Sequence, residues 1–294
     1  MLATTKLPIN QLLLPKKMSN NFEKLIIGSA HEGAEGMFEQ SNSEEALDDE
    51  TLQMKRLERG IFPDAQVRLE STLTELGYEQ VRELSEDITY PSVDQWVEHR
   101  IRHNRGTKFF PTFVKNQEGK FFFCKAQIND RPDALAGLTH EAEILSALPP
   151  EVSAPKLIQY VEPSSEKSAL IITEAISINE ATVAPSEHWN EGHIVSAIDQ
   201  IKALENTQPS SESARDYTEP VLDLLQRSKL PSELSDRIRL IVEQYQPHAK
   251  SVFVHGDAAI KNILASTPDQ EAKVHFVDWE LAGEGFLGQD AAKL

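Results

Sequence analysis

The feature that most restricts this chain is a set of polar residues interleaved with three short apolar runs. The runs lie at residues 252–254, 263–265 and 274–277, and their composition predicts three strands. His255-Gly256-Asp257 follows the first run, Asn262 precedes the second, and Asp278 follows the third. Residues 266–269 are Ser, Thr, Pro and Asp, which is the composition of a turn, so the second and third runs are predicted to form a hairpin.

This arrangement supplies the few groups that phosphoryl transfer requires. A carboxylate must orient the acceptor hydroxyl and take its proton, and oxygen ligands must hold Mg²⁺ on the phosphates. Asp257, on a loop after a strand, is predicted to be the catalytic base. Asn262 and Asp278, on opposite arms of the hairpin, are predicted to bind one Mg²⁺. The spacing from Asp257 to Asn262 equals that of the protein-kinase catalytic loop.

The composite of His-Gly-Asp, four residues, Asn, a strand and Asp278-Trp279-Glu280 resembles the signature of aminoglycoside phosphotransferases and their relatives, including the choline kinases. The resemblance covers residues 105 to 294. It implies an α+β, protein-kinase-like fold of two lobes, with a small β-rich N-lobe and a mainly helical C-lobe. It also implies ATP- and Mg²⁺-dependent phosphoryl transfer to a hydroxyl of a small molecule, such as an aminoglycoside, choline or a sugar.

The segment upstream of the motif has the element order of such an N-lobe. Two strands are predicted at residues 109–115 and 120–127, and two further strands at residues 156–161 and 170–173. Between the two pairs a helix is predicted, with Leu138, Ile144, Leu145 and Leu148 on its apolar side. Pro149-Pro150 stops the helix.

We therefore divide the chain into three parts: an N-terminal extension (1–100), a nucleotide-binding N-lobe (101–176) and a C-lobe (177–294). The extension is predicted to combine a partly disordered acidic segment, densest at residues 43–50, with helices. In the extension, the spacing of Leu69, Leu73 and Leu76 predicts a helix. In the C-lobe, a second helix is predicted with its buried face formed by Ile194, Ile198, Ile201 and Leu204.

A lysine and a glutamate of the N-lobe fit the nucleotide side of such an enzyme. Lys125 ends an apolar strand, where a charge is otherwise out of place, and is predicted to contact the phosphates of ATP. Glu141, on the following helix, is predicted to orient Lys125. It fits the family pattern E-A-x-x-L-x-x-L better than Glu143 does.

Three further residues are candidates for the adenine site. The two-residue period of a strand places Phe123 on the same face as Lys125, where it is either an adenine-stacking ring or a core residue. Residues 170–175 resemble the strand-to-hinge segment of the family, which implies that the backbones of Thr173 and Ala175 bond the adenine edge.

Two departures from the family pattern leave an alternative open. The expected phosphate-covering loop, residues 104–108, contains one glycine, and residues 289–294 resemble the start of a helix after which relatives continue, so we expect a C-lobe truncated at its C-terminus. The alternative is a catalytically silent module that binds a nucleotide or a partner, or an inactive fragment. A protein serine/threonine kinase is disfavoured because Trp279-Glu280 replaces the Phe-Gly of those enzymes.

Composition excludes several other classes of protein. The net charge of −18 disfavours nucleic acid as a partner. No apolar run reaches the roughly 18–20 residues that span a bilayer, so we expect no membrane insertion. Cys124 is the single cysteine, and the first residues lack the apolar core of a secretory signal, so a cytoplasmic location is expected.

Overall fold

The computed structural model describes residues 48–85, 88–176, 189–207, 231–245, 251–265 and 272–294. Most of the predicted acidic segment, up to residue 47, and the turn predicted at residues 266–269 lie outside these ranges.

The described residues form six helices, eleven strands and two short 3₁₀ helices. The helices are α1 (Asp49–Glu58), α2 (Ala65–Glu75), α3 (Val93–Arg102), α4 (Pro132–Ala147), α5 (Glu191–Glu205) and α6 (Ser232–Tyr245). The strands are β1 (Tyr78–Gln80), β2 (Glu83–Ser85), β3 (Ile88–Thr89), β4 (Phe109–Asn116), β5 (Phe121–Gln127), β6 (Leu157–Val161), β7 (Leu170–Glu174), β8 (Ser251–Val254), β9 (Ile263–Ala265), β10 (Val274–Phe276) and β11 (Gly283–Phe286). The 3₁₀ helices are Ile260–Asn262 and Trp279–Leu281.

A five-stranded antiparallel sheet in the order β1-β4-β5-β7-β6 forms the N-terminal part of the fold. Its centre is the predicted β4–β5 hairpin, in which Phe113 lies opposite Phe123 and Pro111 lies opposite Lys125. Because side chains alternate along a strand, Phe122 and Cys124 pack into the core behind the sheet, while Phe123 and Lys125 face the other side. The predicted N-lobe strands and helix are therefore confirmed.

The helices before residue 102 cover the back of this sheet. Leu69 and Leu73 of α2 and Ile101 of α3 share one core with Phe110 and Cys124 of the sheet. Strand β1 extends the sheet by pairing with β4. The boundary proposed at residue 100 stays a prediction, but the hydrophobic core is continuous across it.

The opposite face of the sheet packs on α4. Leu138 and Ala142 of this helix contact Phe109 of β4 and Ile171 of β7 in a second core. The helix ends at Ala147, two residues before Pro149-Pro150, as predicted. Glu141 lies on the buried side of α4 and Glu143 on its exposed side.

The C-terminal part is built from α5 and two short strand pairs, β8–β11 and β9–β10. All three apolar runs of the sequence motif form strands, as predicted. The predicted face of α5 is partly wrong: Ile194 is 46% exposed, whereas His193 is fully buried beside Ala197. The His193 ring accepts a hydrogen bond from the backbone N–H of Asn190 as part of a capping box at the start of the helix. This hydrogen bond holds the histidine side chain on the buried side of α5.

This mixed architecture, a small antiparallel lobe joined to a C-terminal part that carries the polar motif, confirms the predicted protein-kinase-like fold. None of the described helices is both long enough and apolar enough to cross a membrane.

If α2 belongs to the same cooperative unit as the sheet, Leu69→Ala should lower the free energy of unfolding by about 2–5 kcal/mol, because Leu69 is fully buried in the shared core. Val67→Ala in the same helix, where the side chain is 66% exposed, should change it by less than about 0.5 kcal/mol. Urea unfolding followed by circular dichroism measures both. Equal, small effects would mean that α2 is not part of the core.

Candidate active site

A cavity of about 270 Å³ lies between the front of the five-stranded sheet and the loop that follows β10. It gathers residues from β5, α4, β7 and that loop, which are far apart in the chain. The predicted site residues that line it are Phe123, Lys125, Glu141, Thr173, Ala175 and Asp278. Six of the eight residues predicted from the sequence therefore meet in one cleft.

Lys125 lies at the centre of a buried charge cluster. Its Nζ donates to Glu141 Oε2 at 2.7 Å and to Asp278 Oδ1 at 2.6 Å. The Lys125 side chain is 11% exposed and that of Glu141 is 6% exposed, whereas that of Asp278 is 42% exposed. The second oxygen of Glu141 accepts from the backbone N–H of Trp279 at 3.3 Å. Glu141 thus fixes both the lysine and the start of the 3₁₀ helix that follows Asp278.

The pKa values of this cluster show which groups stay charged. Burial opposes the charge on Lys125, but the carboxylates of Glu141, Asp278 and Glu280 outweigh it and raise the lysine pKa. Burial raises the pKa of Glu141, against the opposing effect of Lys125. At Asp278 burial acts to raise the carboxyl pKa, but the charge and hydrogen bond of Lys125, together with smaller contributions from neighbouring basic groups, outweigh it, and the pKa is lowered. A positive lysine and an ionised Asp278 are therefore the stable states at neutral pH.

The backbone of Asp278 is in the left-handed region, with φ 66° and ψ 65°. A residue with a side chain pays a steric cost of about 1–3 kcal/mol in such a conformation, and it persists only where its surroundings hold it. Here the ion pair with Lys125 and the 3₁₀ helix beginning at Trp279 hold it.

The three adenine candidates line the same cleft as Asp278. Phe123 is partly buried, and its ring meets that of Phe113 edge-on at a centroid distance of 5.7 Å. Phe123 also lines the cleft, so this geometry is compatible with both interpretations of the residue, as a core side chain and as a ring that stacks on adenine. Thr173 lies opposite Phe123 in the β5–β7 register, and Ala175 follows that strand. Their roles in binding adenine stay predictions.

Asp257 and Asn262 form a second contact group beside the cleft. The amide Nδ2 of Asn262 donates to both the backbone O and Oδ2 of Asp257, each at 2.9 Å. The ammonium groups of Lys261 and Lys293 lie 3.6 and 3.3 Å from the Asp257 carboxylate. The backbone N–H of Val277 donates to Asn262 O at 3.0 Å, which joins this group to the residue before Asp278.

His255 and Asp290 hold the loop that carries Asp257. The two oxygens of Asp290 accept from the backbone N–H groups of His255 at 2.6 Å and Gly256 at 3.0 Å. His255 Nε2 donates to Val277 O at 3.0 Å, and Nδ1 accepts from the N–H of Asp257 at 3.3 Å. This pattern requires a neutral imidazole protonated at Nε2, and burial lowers the pKa of His255 to about 4. His255 is therefore a structural hydrogen-bonding residue.

Gly256 allows the loop to pass close to the second 3₁₀ helix. Its φ is +83°, and a Cβ at this position would lie 2.1 Å from Leu281 O. Neither the conformation nor the space admits a side chain.

Two charged residues that received no role from the sequence also reach the cleft. Lys108 Nζ lies 3.0 Å from Glu280 Oε2, and both residues line the cavity. Glu280 is part of the Asp278-Trp279-Glu280 motif, but its contact with Lys108 could not be predicted from the sequence. The two residues are 172 positions apart, and no local pattern connects them.

Comparison with known proteins identifies a family. The model of the phosphotransferase enzyme family matches residues 110–294, which is more than half of the 294 residues. No curated protein matches the sequence.

Several solved structures are similar to this chain at low identity. Macrolide 2′-phosphotransferase type I is 14% identical, with 79% of this chain and 77% of that chain covered and a TM-score of 0.49. The macrolide 2′-phosphotransferase MphH from Brachybacterium faecium is 15% identical, with 63% and 67% covered and a TM-score of 0.47. A thermostable mutant of aminoglycoside phosphotransferase APH(4)-Ia, solved with ADP and hygromycin B, is 12% identical, with 62% and 66% covered and a TM-score of 0.42.

The contact of Gly256 with Leu281 can be separated from its backbone conformation by two matched substitutions. Gly119 has a similar φ of +78°, but a Cβ there would meet nothing within 4 Å. Both Gly→Ala changes incur the left-handed cost of about 1 kcal/mol. Only Gly256→Ala adds the collision, so it should lower the melting temperature clearly more than Gly119→Ala. Equal shifts in differential scanning fluorimetry would contradict the close packing.

The pKa of His255 predicts a pH-dependent stability. An unfolded histidine titrates near 6.5, so between pH 7 and pH 4 the unfolded state binds a proton that folded His255 does not. The stabilisation from a neutral His255 is thus present above pH 6.5 and is lost as the pH falls. From pH 7 to pH 5 the unfolding free energy should fall by about 2 kcal/mol more in the wild type than in His255→Gln. Asp290, whose pKa is raised by burial, is common to both proteins. Parallel pH profiles in urea unfolding would refute this.

Proposed function

The chain belongs to the phosphotransferase enzyme family, and we propose that it transfers the γ-phosphoryl group of ATP to a hydroxyl group of a small molecule. The family match over residues 110–294 confirms the predicted family and the predicted class of enzyme, a phosphotransferase. The observation that carries the finer proposal is the contact of Lys125 with both Glu141 and Asp278 in the cleft.

The nucleotide is proposed to bind along the front of the sheet. Lys125 carries a positive charge that its two carboxylate partners orient, which suits contact with the phosphates of ATP. Phe123 offers an aromatic ring for the adenine, and the backbone groups of Thr173 and Ala175 lie on the neighbouring strand and just after it.

Asp257 is proposed to act as the base. The acceptor hydroxyl gives its proton to the Asp257 carboxylate while its oxygen forms a bond to the γ-phosphorus. The bond between that phosphorus and the β–γ bridging oxygen breaks, and ADP leaves. The amide of Asn262 holds the carboxylate in place, and Asp290 and His255 hold the backbone around it. A carboxylate held from several sides needs little reorganisation to receive a proton.

The residues present suit Mg²⁺. Among the described residues no group of three or more His, Cys, Asp or Glu could hold a metal ion by itself. Mg²⁺ is usually bound by one or two protein oxygen ligands together with phosphates and water, and Asp278 and Asn262 are proposed to supply them. When bound, Mg²⁺ neutralises charge on the phosphate oxygens.

The acceptor is proposed to be a small hydroxyl compound of the aminoglycoside, choline or sugar type. The related structures named above include enzymes described as macrolide and aminoglycoside phosphotransferases. The net charge of −18 supports a neutral or cationic compound over a nucleic acid.

Removal of the proposed base tests the reaction. Asp257→Asn keeps the size and the contact with Asn262 but cannot accept a proton. Turnover should fall by at least about 10²-fold, while ATP affinity stays within about threefold. Mg²⁺-dependent ADP release, without and with a panel of hydroxyl acceptors, measures turnover, and isothermal titration calorimetry measures affinity.

Asp199→Asn, at a surface position of α5 that is 62% exposed, is the matched control and should behave as wild type. An Asp257→Asn protein that loses ATP affinity but keeps turnover would contradict the assignment of Asp257 as the base. A wild type that binds ATP but releases no ADP under any condition would instead support the nucleotide-binding module.

A further inference from the structure

The loop before β4, residues 104–108, is anchored by side chains from outside it. Four consecutive backbone carbonyls, those of residues 105–108, each accept a hydrogen bond. The donors are Arg59, Arg100 of α3, and the amide of Asn129, which serves both Thr107 and Lys108. A loop whose last four carbonyls are all hydrogen-bonded is held in one path, unlike a glycine-rich loop that can fold over a ligand.

Lys108, the last residue of this loop, extends its side chain into the cleft. Its Nζ lies 3.0 Å from Glu280 Oε2 and 5.0 Å from the centre of the Phe109 ring. Lys125 Nζ lies 4.7 Å from the centre of the same ring. The two ammonium groups therefore approach one aromatic side chain, and both lysines line the cavity.

Helix α4 leaves space for this second cation. Gly137 lies one turn before Glu141 on α4, and a Cβ at 137 would lie 3.0 Å from Lys108 Nζ and 3.3 Å from Glu280 Oε2. A glycine in a helix interior costs about 0.5–1 kcal/mol relative to alanine. The same helix face thus holds Lys125 through Glu141 and accommodates the Lys108–Glu280 pair at Gly137.

Lys108 contacts one acidic side chain in the cleft, Glu280, whereas Lys125 contacts two. Lys125 already contacts two carboxylates, Glu141 and Asp278. With Glu280 included, three acidic side chains contact the two lysines, so both lysines have acidic partners before a ligand arrives. The Lys108 and Glu280 side chains are 31% and 20% exposed, and a partly exposed ion pair is weak enough for Lys108 to exchange partners.

We propose that Lys108 is a second phosphate-binding residue. When the nucleotide binds, Lys108 breaks its ion pair with Glu280 and contacts the polyphosphate, which is the function that a glycine-rich loop would otherwise have. The inference rests on the proposed function, because it assumes that the cleft binds ATP. Lys108 acts through its side-chain charge, so its effect must depend on the phosphates and not on the nucleoside.

The test compares ATP with adenosine as ligands of the full chain by isothermal titration calorimetry. Lys108→Met should weaken ATP binding roughly tenfold, the value of one charge-assisted hydrogen bond, and leave adenosine binding within about twofold. Lys108→Arg, which keeps the charge, should recover most of the ATP affinity. Lys120→Met is the matched control: Lys120 Nζ also lies over a ring, 5.4 Å from that of Phe122, but Phe122 packs behind the sheet.

Unchanged or tighter ATP binding by Lys108→Met would overturn the inference. The ion pair of Lys108 with Glu280 would then be a structural contact between the two parts of the fold. An equal loss for ATP and adenosine would also overturn it, since the residue would then be structural. Wild-type protein that binds neither ligand would refute the proposed function, and the inference with it.

A second measurement needs no variant. Lysines of the wild type are labelled with an amine-reactive ester and quantified by mass spectrometry, with ATP, adenosine or no ligand. ATP, and not adenosine, should protect Lys108 relative to Lys120. Protection of Lys108 that is the same with both ligands, or absent with both, would count against a phosphate contact.

Discussion

The ion pairs of Lys125 are the interaction on which the rest of the site depends. A buried ammonium is stable only if carboxylates compensate it, and removing one partner of such a group typically costs about 3–5 kcal/mol. Here the partners come from a helix, Glu141, and from the loop after β10, Asp278. The sheet, α4 and the C-terminal part therefore have to assemble together before the charge of Lys125 is satisfied.

The loop around Asp257 is held by residues that have no part in the proposed chemistry. Asp290 binds two consecutive backbone N–H groups, and a neutral His255 binds the backbone on both sides of its ring. Gly256 lets this loop lie against Leu281 O. Hydrogen bonds to the backbone, made by buried polar side chains, thus fix the loop that carries Asp257, and the amide of Asn262 contacts its carboxylate.

The parts of the fold that could be predicted from the sequence are those with local patterns. The β4–β5 hairpin, the helix before Pro149 and strands β8, β9 and β10 follow from the local pattern of apolar, turn and proline residues. The spacing of Asp257 and Asn262 lies within a single loop and could also be recognised in the sequence. Non-local features could not be predicted. Strand β1 has three residues and no distinctive pattern, so its place in the sheet depends on pairing with β4. On α5 the spacing of apolar residues predicted that Ile194 is buried. The residue that is buried there is the polar His193, held by an N-terminal cap, and a pattern of hydrophobic residues cannot reveal such a cap. The Lys108–Glu280 pair joins residues whose separation leaves no periodic signal.

The alternation of side chains along β5 has a practical consequence at Cys124. This cysteine precedes Lys125, yet it faces the hydrophobic core, is fully buried, and has a thiol pKa raised to about 12 by burial. A thiol that is neither ionised nor accessible reacts very slowly with alkylating reagents. Because it is the single cysteine of the chain, the native protein is a low-reactivity background for thiol labelling. A fluorophore or spin label placed through an introduced cysteine would report on that position, and distances across the cleft become measurable without first removing a native residue.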